Sequence, residues 1–582
     1  MLASRIAQAL LLFAFWFTPT LALAQSQIVP FTPGQVLGAA QLNALQSGKA
    51  DYSGLVAEIA RAEAAESALQ SGTVAKSNGS SSNQTLTTPT ITNATIDGLT
   101  SGGLIQPPGV SILANGARCD GVTDDTAAIN AVLAAYRNVS IPHGISQCNV
   151  SGTILIPNGE SLVGSGVTAA TFMSTSSTAP LMRVAAGADN FTLSGFTLDR
   201  NVVPTASSAA GLNILGGTNQ GTITNVKARD QWYGFALGGA SSALIWNVLS
   251  ENNYSDGFYI TNSLQFQTAQ WNMLNVVSQL NDGAGFNVVS TPGTNMVLLP
   301  WEDTGTFANT QGGYRFQGRS DAPITNINLQ SVGASTDGDT ELFFDTYGGH
   351  ITIGGGGFVE AAGTDRTGSH GRPTAASHTG FGIYFSGSVQ DVSLGQLLVF
   401  DNSQAGIDGG PYRFSATGTL LLQNGANQTG ACGINLNNVT AGNTVQITGI
   451  RSGNLNTTSP QGSGVCLVNG AGVTITGSDL SFNSGQPVYV QNGYNGLTAY
   501  GNVGWVTSSA GAATIPAGSY TVTVNHGLSA PPAYVVGSPV TQLSSGTTYW
   551  VDTTTEDSFV LHISGAQTSD TIFNWNARML AN

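Results

Sequence analysis

The chain has 582 residues, only 8% of them charged, with 75 glycines and a formal net charge of −15. That length accommodates several domains and a large core, and aliphatic residues recur too regularly for disorder. The acidic balance, with a pI near 4.6, argues against nucleic acid, whose phosphates need a basic footprint, and suits a neutral glycan better than a highly anionic polymer.

At the N-terminus, Arg5 precedes an apolar run from Ala7 to Phe17, and Ala22-Leu23-Ala24 stands before Gln25. These are the parts of a secretory signal peptide over residues 1–24. The run is too short for a membrane anchor and Thr18-Pro19-Thr20 interrupts it. No later segment is long and apolar enough to span a bilayer, so a secreted protein, periplasmic or extracellular, is expected. Four cysteines suit an oxidising compartment. Local spacing suggests Cys119–Cys148 and Cys432–Cys466, one of three possible pairings. There is no CxxC and no histidine cluster for a metal, and no cofactor motif.

Residues 25–75 read as a helical segment. Leu55, Ile59, Ala62 and Leu69 share one face, with Glu58, Arg61 and Glu63 outside it. A face this thin implies either self-association, as a short trimeric coiled coil, or a tether. GQVLGAAQLNAL and RAEAAESAL resemble the shaft-connecting parts of bacteriophage tail fibres. Residues 76–108 hold a Ser/Asn/Gly linker and then Leu86, Ile91 and Ile96, five apart. That period fits neither helix nor flat strand and resembles intertwined fibrous shafts, a second pointer to a homotrimer.

From Gly109 the pattern is of strands, and an all-β, right-handed parallel β-helix is expected over 109–504. Thr123 or Asp124 can cap a helix whose apolar face is Ile129, Val132, Leu133 and Tyr136. Asp124 and Asp125 then lie at the positive end of its dipole and are read as caps, not as a catalytic pair. Such a helix would cover the open first coil of a solenoid. Gly116, Asp120-Gly121, Asp124-Asp125-Thr126, Ala128-Ile129, Pro142-x-Gly144 and Leu162-x-Gly164-x-Gly166 resemble the opening pattern of the pectate-lyase superfamily. That family includes rhamnogalacturonase-like and epimerase-like proteins and phage tailspikes. The resemblance implies a right-handed parallel β-helix acting on carbohydrate, without fixing the reaction.

Internal repeats mark the coils: Asn225-Val226 leads to Gly234-Phe235, Asn247-Val248 to Gly257-Phe258, and Asn275-Val276 to Gly285-Phe286. Stacked asparagines can form a ladder at the bends while Val and Phe fill the interior. After Trp505, alternation of apolar and polar residues predicts a C-terminal β-sandwich over 505–582. It resembles phage tail modules that trimerise or bind glycans. Trp550 and Trp575 are read as core rather than sugar platforms.

No G-x-S-x-G, HExxH, P-loop or zinc spacing is present. The polygalacturonase signature is missing too, so pectin is not the indicated substrate. Glycoside hydrolysis needs two carboxylates, about 5–5.5 Å apart for retention or 6.5–9.5 Å for inversion. Aligning coils on Gly-Phe puts Asp256 opposite Ala284 and Tyr254 opposite Asp282. Asp256 and Asp282 then become diagonal neighbours about 7–8 Å apart, with Asp-Gly turn capping as the alternative. Aligning on Asn-Val stacks Arg229, Glu251 and Gln279, an ion pair that is either structural or holds a carboxylate ionised. Trp301-Glu302-Asp303, in what reads as an insertion from Ser290, offers an aromatic face beside two acids. Glu360 opens a segment rich in charge and histidine, with Arg366, His370, Arg372 and His378 as substrate-binding candidates or members of a solvated loop. The expected function is cleavage of an exopolysaccharide or cell-surface glycan, by hydrolysis ahead of elimination. A non-catalytic glycan-binding adhesin, or a phage-derived structural protein, is the alternative.

Overall fold

The computed structural model describes residues 109–579, apart from 146, 169, 263–267, 299, 364–369, 371–379, 426–429, 440–443, 456–460, 492–494, 530, 553 and 556. The stretches read as signal peptide, helical segment and shaft repeats lie outside the described residues. Among those described, no helix is long and apolar enough to cross a membrane.

About 12 turns of parallel strands stack into a β-solenoid. Each coil repeats three short strands, and their registers are those the repeats predict. Phe235 pairs Phe258, Phe258 pairs Phe286, and Phe286 pairs Tyr314. The inward rings stack with centroids 4.8, 4.8 and 4.9 Å apart, near the rung spacing of about 4.8 Å. Each such buried ring contributes about 1.5–3 kcal/mol by burial, so the stack is a large share of the local core.

Bends between strands take left-handed backbone, and at one of them the residues are ones that tolerate it. Asn225, Asn247, Asn275 and Asp303 occupy one bend with φ of 50–53°. Their side chains link the coils: Asn247 Nδ2 donates to Asn225 Oδ1 (2.5 Å) and Asn275 Nδ2 to Asn247 Oδ1 (3.0 Å). A second ladder, not foreseen, is fully buried. Asn253 donates to Asn281 (2.7 Å), Asn281 to Asn309 (2.7 Å) and Asn309 to Asp337 (2.9 Å). It satisfies turn backbone that would otherwise be orphaned inside the protein.

Both ends of the solenoid are covered. Helix α1 (Thr126–Ala135) buries Ile129, Val132 and Leu133. Asn130 reaches the adjoining strand edge, donating to Thr153 O and accepting from Leu155 N, each at 2.8 Å. Two details differ from the sequence reading. Tyr136 has extended backbone and is 43% exposed, because the helix has already ended. Asp125 stands at the N-cap position, but its buried carboxylate accepts from Arg118 N and Cys119 N instead of the helix (2.7 and 3.0 Å). Asp124 takes over, accepting from Thr126 N (3.1 Å) and from Ser151 Oγ (2.6 Å). Disulfides join Cys119 to Cys148 and Cys432 to Cys466.

Trp505, 4% exposed, packs on the last coil. Beyond it two three-stranded antiparallel sheets form a sandwich: Ser508–Ile515, Thr571–Arg578 and Tyr534–Pro539 against Thr521–Asn525, Ser558–Ile563 and Tyr549–Asp552. Its core holds Ile515, Phe559, Leu561, Phe573 and Trp575. Trp550 is not core: it is 44% exposed and stacks flat on His562, centroids 5.0 Å apart, because its side of the strand faces outward.

Candidate functional site

The parallel pairing continues into the turns that precede the Gly-Phe strands. Tyr254 N donates to Gln231 O (2.7 Å), Asp282 N to Asn253 O (2.9 Å) and Thr310 N to Asn281 O (2.9 Å). Trp232, Tyr254 and Asp282 therefore form one outward column on successive coils. Beside it Tyr233 stacks on Tyr259 at 4.7 Å. Trp232, Tyr233, Tyr254 and Asp282, together with Ser207, Ser255 and His370, line a cleft of about 530 Å³.

His370 comes from a segment well along the chain, 88 residues beyond Asp282, whose Oδ1 accepts from its backbone N–H (3.4 Å). Its imidazole stacks on Tyr254 with centroids 3.5 Å apart. Nε2 lies 3.5 Å from Asp230 Oδ1, and Nδ1 lies 3.7 Å from Asp282 Oδ2. Asp230 and Asp282 stand two coils apart, roughly 9.6 Å along the axis at the sheet spacing, and both side chains reach the same ring.

The two acids are set differently. Asp282 is 2% exposed in its turn. Asp230 sits at a bend with φ of 59°. Burial raises its carboxyl above the usual range and the Asp199 carboxylate adds to that, against the opposing pull of Arg229 and His370. Arg229 is engaged elsewhere, donating through Nε and Nη2 to Asp199 Oδ2 (2.7 and 2.5 Å). Burial and Asp256 also raise the Tyr233 and Tyr259 hydroxyls, keeping them protonated as donors.

The residues singled out from sequence divide clearly. Tyr254, Asp282 and His370 meet in the cleft, and Asp256 adjoins it. Asp256 accepts from Ala284 N (2.8 Å) and Asn287 Nδ2 (2.9 Å), on the Tyr233–Tyr259 side, while Asp282 faces Tyr254 and His370. Arg229, Glu251 and Gln279 do form one column, but Arg229 pairs with Asp199. Glu251 instead binds Lys227 (2.5 Å) and accepts from Gln279 (3.0 Å). Trp301 is core, 1% exposed, with Nε1 on Trp271 O (3.0 Å). The stretch from Ser290 is an ordinary coil rather than an insertion, because Trp301 pairs in register with Met273 and Leu329. Glu302 is left exposed on the outer face, and Asp303 is a bend residue in line with Asn275. Glu360 accepts from Ser335 Oγ (2.8 Å) and is raised by burial. Arg366, Arg372 and His378 lie outside the described residues.

Asp199 and Asp230 escaped the sequence reading. The signal was available: Thr197 pairs Lys227, so extending the Asn-Val alignment one coil back sets TLDR beside KARD.

No protein-family model matches the chain and no curated protein is similar to it. Among solved structures, the N-terminal fragment of bacteriophage phi29 gene product 12 is 17% identical with a TM-score of 0.51, covering 68% of this chain and 71% of that one. The A-module of Azotobacter vinelandii mannuronan C-5 epimerase AlgE6 is 18% identical with a TM-score of 0.45, covering 68% and 98%. The catalytic unit of an alpha-1,3-glucanase from Streptomyces thermodiastaticus is 14% identical with a TM-score of 0.39, covering 69% of each. At such identities the likeness is one of fold alone, that of a right-handed parallel β-helix.

Proposed function

We propose that this protein is a secreted polysaccharide depolymerase that holds a neutral glycan against the aromatic turns and hydrolyses it between Asp230 and Asp282. The observation that carries the reading is the convergence of these two carboxyls on one imidazole, that of His370, beside a cleft with aromatic walls. The rise between their coils, roughly 9.6 Å by sheet spacing, is just beyond the carboxyl separation of about 6.5–9.5 Å used for inversion, and both side chains lean inward to one imidazole. Asp230, whose carboxyl is raised above its usual range by burial and by Asp199, is the proton donor to the leaving oxygen. Asp282 is the base that activates water. Tyr254 gives the sugar a flat face, and Asp256 accepts from its hydroxyls.

The test is incubation with a panel of neutral and acidic bacterial exopolysaccharides, scored for new reducing ends. Asp230→Asn and Asp282→Asn should each lower kcat by about 10²–10⁴-fold with the thermal midpoint preserved. Undiminished cleavage by both variants would remove the pair from the mechanism, and ultraviolet-absorbing ends would assign elimination instead. A binding-only protein is the second reading. It is favoured by the His370 ring, which fills the space between the acids where water and the scissile bond must lie. Saturable binding across the panel without new chain ends would establish it.

A further inference from the structure

A second cavity, about 180 Å³, opens further along the solenoid between Phe381, Gln404, Asp408, Gly430, Cys432 and Asn435. We infer that it is a distal sugar subsite on the same face as the cleft, so that the protein holds one neutral glycan chain lengthwise across several coils. This rests on the proposed reading that the face takes glycan.

Three observations support it. The register is continuous: Tyr259 pairs Asn287, then Arg315, Phe343, Tyr384 and Asp408 follow on successive rungs. Five steps at the sheet spacing place Asp408 roughly 24 Å from the Tyr259 rung, a span for several sugar rings rather than two. Flat surfaces also recur along the path. Arg315 lies over Phe343 (5.1 Å), Phe343 stacks on Tyr384 (5.4 Å), and Tyr384 on Phe381 (5.7 Å).

The cavity itself carries hydroxyl-recognising groups beside an aromatic wall. Asp408 is 6% exposed and accepts from Asn435 Nδ2 (2.5 Å), and Gln404 adds a further amide. Among the described residues, Asp256, Asp339 and Asp408 line the path with the guanidinium of Arg315, which faces Asp339 at 3.7 Å. An acidic polymer would set like charges together there, which disfavours it. Uncharged hydroxyls meet no such penalty.

The probe is a set of size-graded neutral oligosaccharides, from disaccharide to decasaccharide, prepared from dextran, mannan and galactan and titrated calorimetrically. Affinity should rise by at least about tenfold once the chain is long enough to reach the distal cavity. Asp408→Asn and Phe381→Ala should each lose that step while binding short oligomers as the parent does. Tyr254→Ala should weaken every length. A step that survives in Asp408→Asn, the variant that preserves shape, overturns the distal subsite and leaves the cleft standing. Absence of binding by the parent at every length overturns the neutral-glycan reading itself, and the subsite with it.

Discussion

Carboxyls in this molecule are raised above their usual range for distinguishable reasons. Glu160 is 1% exposed and has a carboxyl oxygen with no hydrogen-bond partner, so burial pushes it up to about 7. Asp230 is raised by burial and by its neighbour Asp199. For Glu160 the folded state retains a proton that the unfolded chain releases near pH 4.5, so stability falls as pH rises from about 4.5 to about 7 and is level outside that window. Glu160→Gln has no proton to lose. Its thermal midpoint should stay flat through the window and exceed the parent's above it, as a melting series from about pH 4 to 8 would show. Asp230 makes the complementary prediction in rate. Cleavage that needs its proton should decline as pH rises through its raised value, and Asp199→Asn, by removing the adjacent negative charge, should move that decline to lower pH. A pH–rate limb that stays in place in Asp199→Asn would dissociate Asp230 from proton donation.

Between neighbouring coils the two amide ladders carry different loads. Asn281 accepts from Asn253 and donates to Asn309 and Ser278 in a site without solvent. Its loss orphans several groups at once, so Asn281→Ala should cost about 1–3 kcal/mol. Asn247, on the exposed bend, needs its left-handed backbone more than its side chain, and Asn247→Gly should cost only a few tenths of a kcal/mol. Urea midpoints for the pair test the contrast. The exposed ladder was legible in sequence, because Asn-Val recurs and asparagine tolerates the bend. The buried one was not, because asparagines in NNYSDG and LNDGAG look like ordinary turn residues. Trp301 was misread because a one-position shift moves a strand residue from outer to inner face. His370 could be named but not placed, since its contacts cross coils that no repeat alignment joins.

For the molecule as a whole, stability depends on closing both ends, as in any solenoid whose coils touch only their neighbours. Trp505 is the seal on the last coil, and the sandwich is tied there by Thr507 Oγ1 to Ala499 O and Met579 N to Thr507 O, both at 3.0 Å. Trp505→Ala should cost about 3–5 kcal/mol and expose the terminal coils first. Limited proteolysis should then shorten the protein from that side before the coils around the cleft are cut; simultaneous loss of all fragments would contradict end-first opening.

The spacing of the buried ladder sets a gauge length. Asn253, Asn281, Asn309 and Asp337 follow one another at intervals of 28 residues. Excising 283–310 would leave Asn281 facing Asp337 as Asn309 does now, and would keep Asp282 in its turn. The distance between the two cavities is thus adjustable in whole-coil increments, without redesign of either. Homologous solenoids with one coil more or fewer would measure out longer or shorter chains with the same chemistry at each end.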